Sequence, residues 1–448
     1  MKKKTCLTMG LLLASVAVNA GDYLTNTNYN AAFLRKLATG ASTDITSTFS
    51  NPAGLGFLPA DGFHLMFSGQ SAYQTRNIES TTPLWTMNGE NTTREFKGKA
   101  SAPFLPSIMM AYKKDNWTIS GGFTVTGGGG KASFEDGLPM FNALVIGMTT
   151  QRTQGKLLPS MYNINSSLTG RQFIYGGQIG ASYRVNDWLS VFGGGRMNYF
   201  YGGYEGYLTA QTKGNNPTTL TQFALDITQT GWGITPMIGA HVELDKWSIG
   251  LKYEFKTNLN IENKAKKFEI GAIPEAYMAD YAHGVNTPND IPAFFSAAVQ
   301  YKVLPTLRAT VEYHFFDDKN AGMASVNTAK GKVGKETTLK HGTHEILFGA
   351  EWDVHEKVTL SAGYQNTNYG LSDDFQTDTS FSCDSYSIGF GARFHLSEVL
   401  KLDAGYMFTN YKDYTKVYTA YKGIPKVPGK DVYSRTNKVF GLSVSYQF

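Results

Sequence analysis

Apolar and polar residues alternate with a period of two along several segments of the chain. Trp247, Ile249, Leu251, Tyr253 and Phe255 fall on one face, and Ser248, Gly250, Lys252, Glu254 and Lys256 on the other. Leu307, Ala309, Val311, Tyr313 and Phe315 alternate with Arg308, Thr310, Glu312 and His314. Tyr386, Ile388, Phe390, Ala392 and Phe394 alternate with Ser387, Gly389, Gly391, Arg393 and His395, and Phe440, Leu442, Val444, Tyr446 and Phe448 with Val439, Gly441, Ser443, Ser445 and Gln447. Successive side chains of an extended backbone point to opposite sides, so this pattern predicts two-faced β-strands. The apolar faces are rich in aromatics and the polar faces in Gly, Ser, Thr and charge. A soluble sandwich would bury the apolar faces as its core. A membrane barrel turns them to lipid and lines a wet or plugged lumen with the polar ones.

The connections support the barrel. Six are very short, centred on Lys114-Asp115, Asn186-Asp187, Asp245-Lys246, Leu304-Pro305, His355-Glu356 and Ser397-Glu398. Between them lie long segments at about 74–101, 127–171, 203–221, 263–291, 318–341, 370–383 and 415–431. Short turns alternating with long loops predict a 14-stranded antiparallel transmembrane β-barrel over 62–448, with its first strand near 62–73 and its short turns in the periplasm. Lipid offers no hydrogen bonds, so the sheet must close on itself. The terminal Phe448 is similar to the aromatic ending by which such barrels engage the barrel-assembly machinery.

Composition agrees. Charged residues make up only 17% of the 448 and aromatics 13%, while the mean hydropathy is −0.26. A helical membrane protein would need apolar runs of about 20 residues. At the N-terminus, Lys2, Lys3 and Lys4 precede an apolar stretch from Leu7 to Val18 and the small residues Val18 and Ala20. This is the plan of a signal peptide over 1–20, cleaved after Ala20. Cleavage removes three Lys and no acid, leaving 38 Lys and Arg against 36 Asp and Glu. No basic stripe suggests a nucleic-acid partner. Cys383 alone survives cleavage, which excludes an internal disulfide.

Residues 21–61 precede the first strand. Phe33, Leu34 and Leu37 form one face of a short helix, and Asn51-Pro52-Ala53-Gly54-Leu55 reads as a turn. A barrel of fourteen strands is too wide for its own side chains to fill, so the segment is read as a hatch plugging the lumen. The stretch Ala31-Ala32-Phe33-Leu34-Arg35, Ala41-Ser42-Thr43-Asp44, Ser50-Asn51-Pro52-Ala53-Gly54-Leu55 and Phe57-Leu58 closely resembles the hatch of the FadL family, outer-membrane transporters for long-chain fatty acids and other hydrophobic compounds. A second resemblance is Gly127–Gly130 followed by Ala132, Phe134, Asp136, Gly137, Leu138 and Pro139.

The resemblance implies a weak outer groove, a tighter inner pocket and a sideways exit through the wall. Pro139, Met140, Phe141, Leu144, Val145, Ile146 and Met148 are unusually apolar for a surface loop, and read as the groove or as a loop helix packed on its neighbours. Inward-facing Lys252, Arg308 and Arg393 are candidate partners for a carboxylate, or members of a lumen network with Glu254, Glu312 and Glu345. The lateral opening is read at Gly121-Gly122 in the third strand, followed by Gly127–Gly130, which resembles the kinked third strand of the family; Pro236 is the other candidate, since proline donates no ladder hydrogen bond, and an ordinary β-bulge is the alternative for both. The hatch residues Asn51, Pro52, Ala53 and Gly54, with Phe33, Leu34 and Leu37, are read as the gate.

Enzyme readings find no support. Gly127–Lys131 lacks the spacing of a phosphate loop, no Gly-x-Ser-x-Gly elbow is present, and His341 and His344 are expected on opposite faces of a strand. The loop acids Asp373, Asp374 and Asp378 are expected in solvent, and no metal or cofactor is expected. The reading is a monomeric barrel, surrounded by outer-membrane lipid, that passes a hydrophobic small molecule. A general diffusion porin and a surface adhesin are the alternatives.

Overall fold

The computed structural model describes residues 26–86, 91–271, 273, 278–328 and 331–448. The signal peptide read over 1–20 and the start of the segment 21–61 lie outside them. Fourteen strands form the wall: β1 Gly62–Thr81, β2 Thr93–Lys114, β3 Trp117–Phe134, β4 Tyr162–Arg184, β5 Leu189–Thr212, β6 Thr219–Glu243, β7 Trp247–Glu254, β8 Phe294–Leu304, β9 Leu307–Phe316, β10 Thr343–His355, β11 Val358–Asn368, β12 Ser385–His395, β13 Leu400–Tyr411 and β14 Gly429–Gln447. Each pairs antiparallel with its sequence neighbours, and β14 returns to β1 in a register running from His64 against Gln447 to Thr81 against Lys430. Closure leaves the wall without an edge, as a lipid environment requires. Shorter ladders extend it at the long-loop end: Asn260–Glu269 on β6 and Tyr414–Tyr418 on β14.

All six short turns lie where the sequence placed them. The strands, however, run further than expected. In β1 the outward apolar series Phe63, Leu65, Phe67 ends at Tyr73, whereas the ladder to β2 and β14 continues to Thr81. Beyond Tyr73 the outward residues are Thr75, Asn77 and Glu79. Hydropathy marks only the part of a strand that faces lipid, while backbone pairing continues above it. The segment expected as a loop over 203–221 is therefore mostly β5 and β6, which are joined through 213–218.

The lumen is filled from within by the N-terminal segment. Helix α1, Ala31–Lys36, is capped by Asn30, whose Oδ1 accepts the Phe33 N–H at 3.0 Å. A single helical turn, α2 (Ser47–Ser50), follows, and then a 3₁₀ helix over Pro52–Phe57 that begins at the proline, whose missing N–H costs nothing there. Phe33, Leu34 and Leu37 pack together against Ala72, Leu347, Met407 and Val439 of the wall. Inward-facing glycines let the hatch backbone touch the sheet: a Cβ on Gly363 would stand 2.2 Å from the Lys36 carbonyl, and one on Gly389 2.3 Å from that of Leu34.

Candidate functional site

The polar faces of the strands hold the hatch. Arg35, on α1 and fully buried, pairs with Glu351 of β10 and Asp403 of β13, each at 2.8 Å, and also meets the Ser361 hydroxyl. Lys36 reaches Glu351 at 2.8 Å. Arg393 of β12 bridges Asp44 of the hatch at 2.7 Å and Asp403 at 2.8 Å. On the other side, Lys252 of β7 donates to the Phe49 carbonyl at 2.7 Å and pairs with Glu254, which Arg196 of β5 also holds at 2.8 Å. Glu312 of β9 accepts the N–H groups of Thr39 and Gly40 at 2.7 and 2.9 Å. Charges removed from water are costly unless paired; here Arg35, Lys36, Arg393, Lys252 and Glu312 each bond across the boundary between plug and wall, while Glu254 is held within the wall by Lys252 and Arg196. Of the three cations singled out from sequence, Lys252 and Arg393 thus bind hatch as well as wall, and Arg308 pairs with Asp353 at 2.7 Å. Arg35, Lys36, Arg196, Glu351 and Asp403 were missed. Glu351 and Asp403 sit on the polar phase of alternating strands, which is the signal that marks them.

The elbow Asn51-Pro52-Ala53-Gly54 is pinned as tightly. Asn51 donates to the carbonyls of Gly40 and Ala240 at 3.3 and 3.1 Å, and the Ser182 hydroxyl donates to the Pro52 carbonyl at 2.7 Å. Ala53 packs on Phe192 and Met237. A Cβ at Gly54 would stand 2.2 Å from the Ser42 carbonyl.

The wall has a break between β2 and β3. Pairing runs from Lys114 against Trp117 to Ile108 against Phe123, and resumes only at Ser101 against Lys131. Residues 102–107 and 124–130 therefore face each other without a ladder. Pro103 and Pro106 bring no N–H to this stretch of β2, and β3 carries bulges after Val125 and after Gly128 against β4. Gly128 and Gly130 have φ of 84° and 96°, which side chains disfavour. Gly121 and Gly122 stay paired with Met110 and Met109, so the break starts beyond them, at Thr124. Asn26, just before the hatch, takes up carbonyls the ladder abandons: its backbone N–H donates to Thr126 and its side chain to Gly128, both at 2.8 Å. Around Pro236, the second candidate, β6 also parts from β7, but there Leu259 and Ile261 turn inward and pack with Ile174, Phe200 and Ile291.

A lumen cavity of ≈190 Å³ lies over the hatch and reaches this break, where Leu105 and Gly128 line it. Phe33, Met407 and Val439 form its apolar floor. One rung further out, Gln74, Asn437, Thr409, Ser387 and Gln365 stand opposite one another on five neighbouring strands. The loop end is roofed. Helix α3, Pro139–Thr153, buries Met140, Phe141, Leu144, Val145 and Met148 among Trp85, Phe223, Tyr281 and Phe381. Its first turn is held by Asp378, which accepts the Met140 N–H at 2.9 Å and also receives Lys422 at 2.5 Å and the Tyr433 hydroxyl at 3.1 Å. A carboxylate suits the positive end of a helix. Asp378 is therefore buried and partnered, not in solvent as expected.

One further expectation needs correction. The rings of His341 and His344 lie 5.2 Å apart instead of on opposite faces, because β10 starts only at Thr343 and the backbone turns through Gly342. Among the described residues no cluster of His, Cys, Asp or Glu could hold a metal ion. Asp318, just beyond β9, accepts the Thr343 N–H at 3.1 Å through one oxygen, while the other has no partner among the described residues. Burial pushes this carboxyl up to about 7, with the bond to Thr343 opposing it. An acid whose folded pKa is raised contributes its stability fully below the unfolded value near 4 and loses it as pH rises through about 7. Amide protection factors in 317–328 and 331–342, which are corrected for the intrinsic rise of exchange with pH, are expected to fall between about pH 4 and about pH 7, and Asp318→Asn is expected to abolish that fall.

No family model and no curated protein matches the sequence. Solved structures do match. A FadL homologue of Pseudomonas aeruginosa superposes with a TM-score of 0.66 at 14% identity, covering 95% of this chain and 100% of that one. The toluene transporter TodX of Pseudomonas putida gives 0.57 at 14%, covering 95% and 100%. The toluene transporter TbuX of Ralstonia pickettii gives 0.55 at 13%, covering 94% and 98%. With its closed fourteen-stranded wall and its plug of short N-terminal helices, the chain has the FadL-type fold.

Proposed function

We propose that this protein passes a hydrophobic small molecule across the outer membrane and releases it sideways into the bilayer. The observation that carries the reading is the meeting of the lumen cavity with the break between β2 and β3. A solute leaving there never crosses the polar barrier of the hatch. Each 100 Å² of its apolar surface taken from water recovers about 2.5 kcal/mol. The apolar floor at Phe33, Met407 and Val439, together with Leu105, gives it a path from cavity to lipid. Met140, Phe141, Leu144, Val145 and Met148 of the roof form the apolar entry once α3 swings away from Asp378. The elbow Asn51-Pro52-Ala53-Gly54 and the seal of Phe33, Leu34 and Leu37 keep the hatch seated, so that water and polar solutes stay out. Two fold neighbours named as toluene transporters support the class of solute. In this reading the chain is a monomer, reaches the outer membrane after loss of residues 1–20, and is inserted by the barrel-assembly machinery through its Phe448 end.

A general porin is the second reading, and the filled lumen speaks against it. Uptake of labelled palmitate and of labelled toluene by an expressing host, together with conductance in planar bilayers, separates the two. Uptake above the empty host with a small conductance is expected. A large conductance with background uptake of both solutes would turn the assignment to a porin.

A further inference from the structure

The outer surface of the wall carries a cluster of cations directly above the break. Lys131 is the first residue of β3 to pair with β2 again, against Ser101, and on its other side it stands opposite Arg171 of β4. Lys99 lies two pairs further out on β2, against Ser133. Lys438 of β14 stands opposite Tyr73, which stands opposite Ser101. One rung of the sheet therefore runs Lys438, Tyr73, Ser101, Lys131, Arg171. At roughly 4.8 Å between strands, Lys131 and Arg171 are immediate neighbours, and the rung from Lys438 to Arg171 spans roughly 19 Å, within the combined reach of their long side chains.

Lys99, Lys131 and Lys438 are exposed on the outward phase of their strands, and Arg171 is half-exposed with its guanidinium 5.4 Å from the centre of the Tyr201 ring. Among the described residues the three lysines make no ion pair, whereas Lys97 beside them is taken by Glu95 at 2.9 Å. Glu205, on β5 opposite Thr169, is the closest acid by register on the Arg171 side. Like charges directly opposite in a ladder repel, so Lys131 facing Arg171 is unfavourable unless an anion lies between them. The patch also sits at the height where Tyr73 and Phe440 end the outward apolar belt. That is where the charged headgroups of a bilayer begin. Followed the other way, the same rung runs from Lys438 to Phe408, Ile388 and Tyr364, none of them charged.

We propose that Lys99, Lys131, Arg171 and Lys438 bind a phosphate of the phosphorylated glycolipid that forms the outer leaflet, at the upper lip of the wall break. The inference rests on reading the protein as an outer-membrane barrel. A phosphate between Lys131 and Arg171 turns their repulsion into two charge-assisted hydrogen bonds. Lysine stems lie along the aromatic belt while their ammonium groups stay at the headgroups.

The test uses the purified full-length barrel in neutral micelles, supplied with either diphosphorylated lipid A or its enzymatically dephosphorylated form, with bound lipid counted by native mass spectrometry. Retention of the phosphorylated form is expected, and retention by Lys131→Gln/Arg171→Gln is expected to fall roughly thirtyfold for two cations lost at the headgroup. The single substitutions each give a smaller loss in the same direction, and heat-modifiable gel mobility reports folding. Lys340→Gln/Lys412→Gln, in other loops, leaves retention unchanged. Equal retention of the dephosphorylated lipid, or undiminished retention by the folded double variant, would overturn the proposal. So would release of the lipid by millimolar inorganic phosphate, which marks a free-phosphate site. Uptake by the wild-type chain is scored separately: a protein that holds lipid A through these cations but takes up no hydrophobic solute removes the transport reading alone.

Discussion

A chain with a repaired wall is expected to lose uptake of hydrophobic solutes by more than about tenfold, a rise of ~1.4 kcal/mol in the barrier to release, while still folding as a barrel. The registers dictate the repair. Against β4, strand β3 holds one extra residue after Val125 and another after Gly128. Against β1, strand β2 holds one extra residue between Ala102 and Leu105. Deleting Thr126, Gly129 and Pro103 removes all three bulges together. Ser107 then opposes Thr124, and Ala102 opposes Gly130, so the ladder can run unbroken from Ile108 to Ser101. Replacing Pro106 by Val restores its missing donor. The deletions also remove Thr126 and displace Gly128, whose carbonyls hold Asn26, so Asn26→Ala serves as the control and is expected to retain uptake. Heat-modifiable mobility checks the fold, and labelled uptake checks the function. Undiminished uptake by the repaired barrel would place the exit elsewhere, with the parting of β6 from β7 beside Pro236 as the next candidate.

Arg35→Met is expected to loosen the hatch by about 3–5 kcal/mol, because it leaves buried carboxylates without one of their cations. Glu351 keeps Lys36, and Asp403 keeps Arg393, so the hatch is weakened and not expelled outright. The measurement is single-channel conductance in planar bilayers. Brief large openings are expected in the variant and absent in the wild type. Replacing Glu351 by Met as well leaves the buried Lys36 without its carboxylate, so the double variant is expected to open at least as often as Arg35→Met alone; the interaction energy follows from the cycle. A variant as quiet as the wild type would mean that the hatch is held chiefly by hydrogen bonds to its backbone, such as those of Glu312 to Thr39 and Gly40.

Much of the architecture was legible because a barrel in lipid writes its geometry locally. Outward residues at alternate positions of β7, β9, β12 and β14 meet lipid directly, so their hydropathy reports orientation without help from any distant part of the chain. The six turns at Asn186-Asp187 and its counterparts are equally local, and all hold. The hatch was readable as a short helix and a turn for similar reasons: Asn30 caps α1, and Pro52 opens the 3₁₀ helix.

The candidate site was less legible. Gly127–Gly130 marked the stretch of the third strand that lies in the break, whereas Gly121 and Gly122 lie before it, and the bounds of the break depend on what β2 and β4 do beside it. Only the counting of three strands together shows where the extra residues accumulate. Lys252 and Arg393 were legible as inward cations, yet not as hatch anchors, since their partners Phe49 and Asp44 lie 203 and 349 positions away in the chain. Pro139 to Met148 was readable as apolar, whereas its burial beneath Trp85, Phe223 and Phe381 needs loops from several parts of the barrel.

The sequence by itself thus determined the barrel, its strand number and the presence of a plug. Each of these follows from side chains answering to solvent or lipid residue by residue. The tertiary structure alone decided how far the strands rise above the apolar belt, which charges join hatch to wall, and where the wall opens. Those features arise from register and pairing between distant segments, and a period of two in any one strand carries no information about the residue count of its neighbour.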